Sequence, residues 1–293
     1  MEDDTTRGAP EPSAVWWARR QATSLALSRT PAMVAATRAV QRVAGADRAT
    51  LRFIVGLNRL RDHRHGRIVA FSGSYNPLTM AHIGLVETAL AFGYDAALWI
   101  LPAASVDKER VSRAALVDRL VQMRTYIRTT QRQGVALVNR GLYVEQAVLV
   151  RRVFPDAELS LLVGFDKVAQ IFDARYYQDR DAALRALFLY ARLLVAPRAG
   201  RGEADLAELL ARPENEPFAS YVTFLPTPPE LADDSSTEAR AEAAAGRADA
   251  LRSLIPPEAV ALTDTGAYET RENEAPGRRY SQRLAWLHGL ERG

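Results

Sequence analysis

From Arg67 onward, short apolar runs of strand length alternate with longer segments of helical period. The runs fall at 68–71, 97–101, 135–138, 159–163, 193–196 and 221–225. Ile68-Val69-Ala70-Phe71 and Ala97-Leu98-Trp99-Ile100-Leu101 are apolar throughout, as strands buried on both faces are. Between them the spacing predicts helices over 80–92, 113–130, 143–153, 166–190, 203–212 and 236–255, the first closed by Gly93. That order constrains the fold to α/β, a parallel sheet with helices on both faces. Right-handed crossovers then bring every strand's C-terminal end to one edge.

Ahead of that region the pattern differs. Residues 1–12 are acidic with Pro, Ser and Thr, and read as a disordered tail. Residues 13–65 carry ten arginines against Asp47 and Asp62, and read as a basic helical extension broken at Pro31 and Gly45. Apolar residues at Met33, Val34, Val40, Val43, Leu51, Ile54, Val55, Leu57 and Leu60 give it a stripe to bury, against the domain or in a homo-oligomer or partner contact. From Arg67 the charge is nearly balanced, 27 basic against 29 acidic residues. No nucleic-acid partner is expected of such a body.

The chain has no cysteine, which excludes disulfides, thiolate metal sites and a cysteine nucleophile. No apolar run reaches about 18 residues, so no membrane span is expected. The opening Met-Glu-Asp-Asp suits neither a secretory nor a mitochondrial leader, and cytoplasm is the expected compartment. No cluster of residues suggests a metal site held by the protein.

Two stretches carry chemistry. In Gly73-Ser74-Tyr75-Asn76-Pro77-Leu78-Thr79-Met80-Ala81-His82, Gly73 and Ser74 end a strand and Asn76-Pro77 turns the chain. Thr79 is placed to cap the next helix, and His82 leans back over its first turn. Free N–H groups and the positive end of the helix dipole lie there, a hollow suited to phosphate. An ordinary strand–turn–helix junction with a capping threonine has the same pattern. In Ser235-Ser236-Thr237-Glu238-Ala239-Arg240, Ser235 and Glu238 fit a capping box, which accounts for neither Thr237 nor Arg240. A guanidinium one turn into a helix can reach its N-terminal opening and make a second phosphate cradle.

In this order the two stretches resemble the paired phosphate-binding signatures of the nicotinamide/nicotinate mononucleotide adenylyltransferases. Thr79-Met80-Ala81-His82 matches the threonine form of the family's His/Thr-x-x-His element, and Ser235 to Arg240 matches Ser-Ser-Thr-x-x-Arg. Gly73 to Thr79 looks more like the eukaryotic members than the usual bacterial nicotinate type. Weaker likenesses lie at Leu101-Pro102-Ala103 with Lys108 and 118–123, at Asn139 to Tyr143, at Gly164-Phe165-Asp166, and at 255–268.

The resemblance implies a Rossmann-like nucleotidyltransferase domain over 66–268; residues 269–293 lie outside it and read as a helical tail. It implies ATP and a pyridine mononucleotide as substrates, with Mg²⁺ riding on the ATP phosphates. His82, Arg240, Thr79 and Lys108 would act on those phosphates. Gly73, Ser74, Tyr75, Asn76, Ser235, Ser236 and Thr237 would line the cradles, and Gly164 and Asp166 would meet the ATP ribose. The family's tryptophan for stacking on the pyridine is absent between Trp99 and Trp286. Tyr176 or Tyr177 is the candidate replacement. Another acceptor within the superfamily, phosphopantetheine or a cytidylyl acceptor, and a non-catalytic nucleotide-binding role are the competing readings.

Overall fold

The computed structural model describes residues 31–103, 114–229, 231, 236–263 and 265–268. Helix α1 (Pro31–Ala44) leads into strand β1 (Leu51–Val55) and the short helix α2 (Leu57–Arg61). There follow β2 (Arg67–Ser72), α3 (Met80–Ala91), β3 (Ala96–Pro102), α4 (Leu116–Arg128) and β4 (Gln133–Val138). The second half runs α5 (Tyr143–Val153), β5 (Glu158–Gly164), α6 (Phe165–Phe172), α7 (Arg180–Phe188), β6 (Arg192–Ala196), α8 (Glu203–Leu210) and β7 (Val222–Phe224). Helices α9 (Ser236–Ala244), α10 (Ala248–Leu254) and α11 (Pro257–Thr263) follow the last strand.

The seven strands form one sheet in the order β1-β4-β3-β2-β5-β6-β7. All neighbours are parallel except β1, which runs antiparallel to β4. The apolar runs alternate between two cores. Val69, Trp99, Leu101, Val135 and Leu137 face α1, α3, α4 and α11, while Ile68, Ala70, Leu98, Ile100 and Ala136 face α5, α6, α7 and α8. This two-sided burial is why the strands carry no polar alternation.

Strand β2 connects to β3 and β4 on one side, and β5 lies on its other side. The order therefore reverses between β2 and β5. In open α/β sheets the crevice outside the strand ends at such a reversal is where ligands bind. The first signature leaves β2 at this point, and Gly164 ends β5 directly beside it, since Phe71 pairs with Leu162 two residues earlier on each strand.

The expectation of helix throughout 13–65 is corrected at Leu51–Val55, which is a strand of the sheet. Its spacing resembles a helical stripe, but Phe53, Ile54 and Val55 are strand formers and Gly56 ends the run. Gly56 has φ 86°, and a Cβ there would lie 2.4 Å from the Gln133 carbonyl oxygen, so the turn into α2 needs glycine. Helix α1 buries Met33, Ala36 and Val43 and packs on α4, β1 and β4. The sheet accordingly has an antiparallel edge beside its six parallel strands.

The helical stretch expected over 166–190 is divided into separate pieces. Asp173 and Asp179 each cap a new start, at Arg175 N and Ala182 N, and divide it into α6, a 3-10 turn at Ala174–Tyr176 and α7. Local capping by aspartate here overrides the helical period. The expected tails, 1–12 and 269–293, lie outside the described residues, as do residues 13–30 of the basic segment. Among the described residues no helix is long and apolar enough to cross a membrane.

Candidate active site

The two signatures meet. Arg240 Nη1 donates to the Asn76 carbonyl oxygen at 2.9 Å, and its Nη2 donates to Thr237 Oγ1 at 2.9 Å. Ser236 Oγ donates to the Pro77 carbonyl at 2.9 Å. The start of α9 thus sits directly on the turn that follows β2. Ser235 and Lys108 lie outside the described residues.

Within the first signature, Gly73 ends the ladder by donating to the Ile100 carbonyl. The space a side chain would need at Gly73 is taken by the Tyr75 ring, 3.0 Å from a built Cβ. A side chain here would press on the buried Tyr75 ring. Tyr75 itself is fully buried, at φ 46°, with its hydroxyl donating to the Phe71 carbonyl at 2.6 Å. Its ring meets those of His82 and Trp99 edge-on, both at 5.3 Å. These contacts hold an unfavourable left-handed residue in place. Burial pushes its phenol well above the ordinary tyrosine range, so the hydroxyl stays neutral. The side chain of Tyr75 is a support for the loop, and only its backbone can face a ligand.

Thr79 caps α3 in a reciprocal box with His82. Thr79 Oγ1 accepts from the His82 N–H at 3.3 Å, and the Thr79 N–H donates to His82 Nδ1 at 3.1 Å. Thr79 is 1% exposed and its hydroxyl is a further 2.7 Å from Nδ1. This threonine orients the imidazole through its backbone N–H and its hydroxyl. Since Nδ1 accepts from a backbone N–H, the neutral ring carries its proton on Nε2. Burial, and then the positive charge of Arg198, push the His82 pKa down to about 4. The half-buried ring is therefore a neutral N–H donor at pH 7.

The backbone around it is arranged for an anion. Among the described residues the N–H groups of Ser74, Tyr75 and Asn76 donate to no protein acceptor. Successive free N–H groups beside a helix N-terminus form an anion-binding concavity. The Asn76–Pro77 peptide is cis.

Gly164 and Asp166 stand at the end of β5 and in the first turn of α6. The Asp166 carboxylate folds back over Gly164, with Oδ1 2.7 Å from a Cβ built there. Arg198, two residues past the end of β6, approaches the same point to 3.6 Å from the other side. Its loop closes through paired bonds with Arg201, and Ala199 and Gly200 both take positive φ. Arg198 is a site cation that the sequence reading missed. Its signal was an arginine just past a strand end, on the edge where both signatures lie.

Three further residues, in the family-like segments 118–123 and 255–268, bond to the turn after β2. Arg119 Nη1 donates to the Ser74 carbonyl at 2.7 Å, Gln122 Nε2 to the Tyr75 carbonyl at 3.3 Å, and the Tyr268 hydroxyl to Asn76 Oδ1 at 2.7 Å. Arg119 and Gln122 are buried in α4 beside Leu120, Val121 and Met123. Asn139 proves structural. Its side chain accepts from Thr50 N and donates to the Ala46 and Arg48 carbonyls, tying β1 to the end of β4.

Tyr176 and Tyr177 lie beyond the far end of α6, roughly 12 Å from the strand edge for a helix of this length. Tyr176 is 64% exposed and Tyr177 half-buried. The structure does not gather them with the phosphate cradles.

The assembled donors are two guanidinium groups, a neutral imidazole and backbone N–H groups, a set that suits phosphate. It does not suit a resident cation, and among the described residues no group of three His, Asp or Glu is placed to hold one.

Comparison with known proteins bears on the family and the fold. No family model matches the chain. It is 27% identical over 210 residues to a probable nicotinate-nucleotide adenylyltransferase from Gloeobacter violaceus, covering 69% of this chain and 96% of that one. It is 26% identical over 136 residues to a putative nicotinamide mononucleotide adenylyltransferase from Schizosaccharomyces pombe, covering 45% of this chain and 53% of that one. The fold matches that of Plasmodium falciparum nicotinic acid mononucleotide adenylyltransferase complexed with NaAD, with a TM-score of 0.51 and 17% identity over 71% of this chain and 99% of that one. A probable nicotinate-nucleotide adenylyltransferase from Laribacter hongkongensis is 30% identical over 201 residues, covering 64% of this chain and 87% of its own length. The chain belongs to the nicotinate/nicotinamide-nucleotide adenylyltransferase family.

Proposed function

We propose that the chain transfers the adenylyl group of ATP to the phosphate of nicotinate or nicotinamide mononucleotide, releasing pyrophosphate. The observation that carries the reading is the direct contact of the two signatures through Arg240 and Asn76, at the point where the strand order reverses. The family relationship supports the choice of a pyridine mononucleotide as acceptor.

In the reaction an oxygen of the acceptor phosphate attacks the α-phosphorus of ATP. The bond from that phosphorus to the bridging oxygen breaks, and pyrophosphate leaves with the electron pair. The attacking oxygen is already anionic, so no general base is needed. Catalysis then consists of alignment and charge neutralisation. The N–H groups of Ser74, Tyr75 and Asn76 receive phosphate oxygens. His82 donates from Nε2, and Arg240 and Arg198 offset charge as it moves onto the leaving group. Ser236 and Thr237 hold α9 in place for Arg240. Lys108 adds a third cation. Asp166 accepts from a ribose hydroxyl, with Gly164 giving its carboxylate room to fold back. Tyr176 or Tyr177 stacks on the pyridine. Mg²⁺ enters on the ATP phosphates as part of the substrate, and no step is assigned to an ion held by the protein.

The test is pyrophosphate release by the purified chain with ATP, Mg²⁺ and each mononucleotide in turn. Release that depends on either mononucleotide is expected. Release with neither overturns the acceptor assignment.

A further inference from the structure

Four consecutive carbonyl groups of the turn after β2 each accept a hydrogen bond from a side chain. Ser74 takes Arg119 and Tyr75 takes Gln122, both from α4. Asn76 takes Arg240 and Pro77 takes Ser236, both from α9. The side-chain oxygen of Asn76 takes the Tyr268 hydroxyl from the turn after α11. Such density is unusual for a turn, whose carbonyls ordinarily face solvent.

The arrangement has a consequence for the N–H groups. Across a trans peptide the C=O and the following N–H point in opposite directions. Drawing the Ser74 and Tyr75 carbonyls toward α4 turns the N–H groups of Tyr75 and Asn76 away from it. Those N–H groups have no acceptor among the described residues. The same bonds keep carbonyl oxygens, which repel phosphate, out of the cradle. Arg119 also donates from Nε to the Ala114 carbonyl at 3.1 Å, so one guanidinium joins the turn to the start of α4. Arg119, Gln122 and Tyr268 are all buried, at 8%, 0% and 1% exposure. They act on the turn from beneath.

We propose that Arg119, Gln122 and Tyr268 are positioning residues that hold the turn at 74–77 with its N–H groups presented to the ATP phosphates. The proposal rests on the adenylyl-transfer reading for the identity of the ligand, and it assigns these three side chains a share in nucleotide binding without contact with the nucleotide. Tyr268 and Gln122 fix the peptide planes through neutral donors. Arg119 does so with a charge beneath the cradle.

The decisive variant is Tyr268→Phe, which removes one hydroxyl and preserves the ring. Calorimetric titration with ATP gives the dissociation constant directly, and steady-state assays give kcat and the two KM values. Tyr268→Phe is expected to weaken ATP binding about tenfold, to lower kcat, and to leave the KM for the mononucleotide within about twofold. Arg119→Ala is expected to weaken ATP binding further, with Arg119→Lys recovering part of the loss. Thr37→Val is the matched control, because it deletes a buried hydroxyl bond to the Met33 carbonyl in α1. It should lower the melting temperature with no change in ATP affinity. ATP affinity within twofold of wild type in both Tyr268→Phe and Arg119→Lys overturns the proposal. So does an affinity loss in Thr37→Val equal to that in Tyr268→Phe. A wild-type chain that binds ATP but makes no dinucleotide defeats the functional reading alone, since the ATP titrations still decide the role of these residues.

Discussion

The Arg240 guanidinium and the Asn76 carbonyl are 164 residues apart in sequence and 2.9 Å apart in space. The bond joins the start of α9 to the turn after β2, so the two phosphate-binding stretches form one surface. A fork that holds a carbonyl and Thr237 Oγ1 together is also pre-set to take a phosphate oxygen, at little entropic cost.

Arg240→Ala should therefore lower kcat by on the order of 100-fold or more, the usual cost of removing a donor that acts on transition-state charge. The melting temperature should change little, since the lost bonds are peripheral to both cores. Arg240→Lys keeps charge but cannot bond two acceptors in one plane, and should recover only part of the rate. Thermal denaturation alongside steady-state kinetics checks both. Parallel loss of folding and rate would reduce Arg240 to a structural tie.

His82 gives a prediction in pH. Its folded pKa is pushed down to about 4, against about 6.5 in the unfolded chain. Above about 6.5 both states are neutral and the stability contribution is complete. As pH falls toward 4 the unfolded chain takes up a proton that the native site refuses, and that stability is progressively lost. NMR titration of the His82 ring in the free protein should show no protonation between pH 5.5 and 7.5. Adding ATP places negative charge beside Nε2 and should raise the pKa. A free-protein midpoint near 6.5 would contradict the buried, Thr79-bound ring.

The pyridine end is tested separately. If Tyr177 or Tyr176 stacks on the ring, its replacement by Ala removes roughly 1 kcal/mol, or about fivefold in the KM for the mononucleotide. The KM for ATP should hold. An unchanged mononucleotide KM in both variants would place neither tyrosine against the pyridine.

Strand β1 makes the segment before Arg67 essential to folding. Gly56→Ala should destabilise by about 1–2 kcal/mol from the left-handed backbone alone, with the 2.4 Å approach to Gln133 adding to it. Denaturant titration measures this. A chain starting at Asp62 loses α1, β1 and α2 and bares the faces of α4 and β4 they cover. It should be insoluble or unfolded. A soluble, active chain of that length would show that β1 is dispensable.

The parallel core was legible because its strands are apolar on both faces, a pattern few other elements produce. Strand β1 was not, because a half-buried edge strand of five residues can match a helical stripe by spacing alone. Only Gly56 and the Phe-Ile-Val run distinguish it. In the site, Thr79, His82 and Arg240 stood out through local motifs, since capping and helix position depend on near neighbours. Arg119, Gln122, Arg198 and Tyr268 did not, because their partners are brought to them by the sheet. Gln122 lies 47 residues from Tyr75, and Tyr268 lies 192 from Asn76. At Gly73 the sequence could not show the contact with the Tyr75 ring, which depends on how the turn folds back.

The most direct test follows the α-phosphorus. The purified full chain is given ATP labelled at that position, with Mg²⁺ and nicotinate or nicotinamide mononucleotide, and the products are separated. The label should appear in a dinucleotide, with unlabelled pyrophosphate formed in equal amount, and both should be lost in Arg240→Ala. No labelled dinucleotide with either mononucleotide, or transfer of the label only when phosphopantetheine is supplied in their place, would contradict the account.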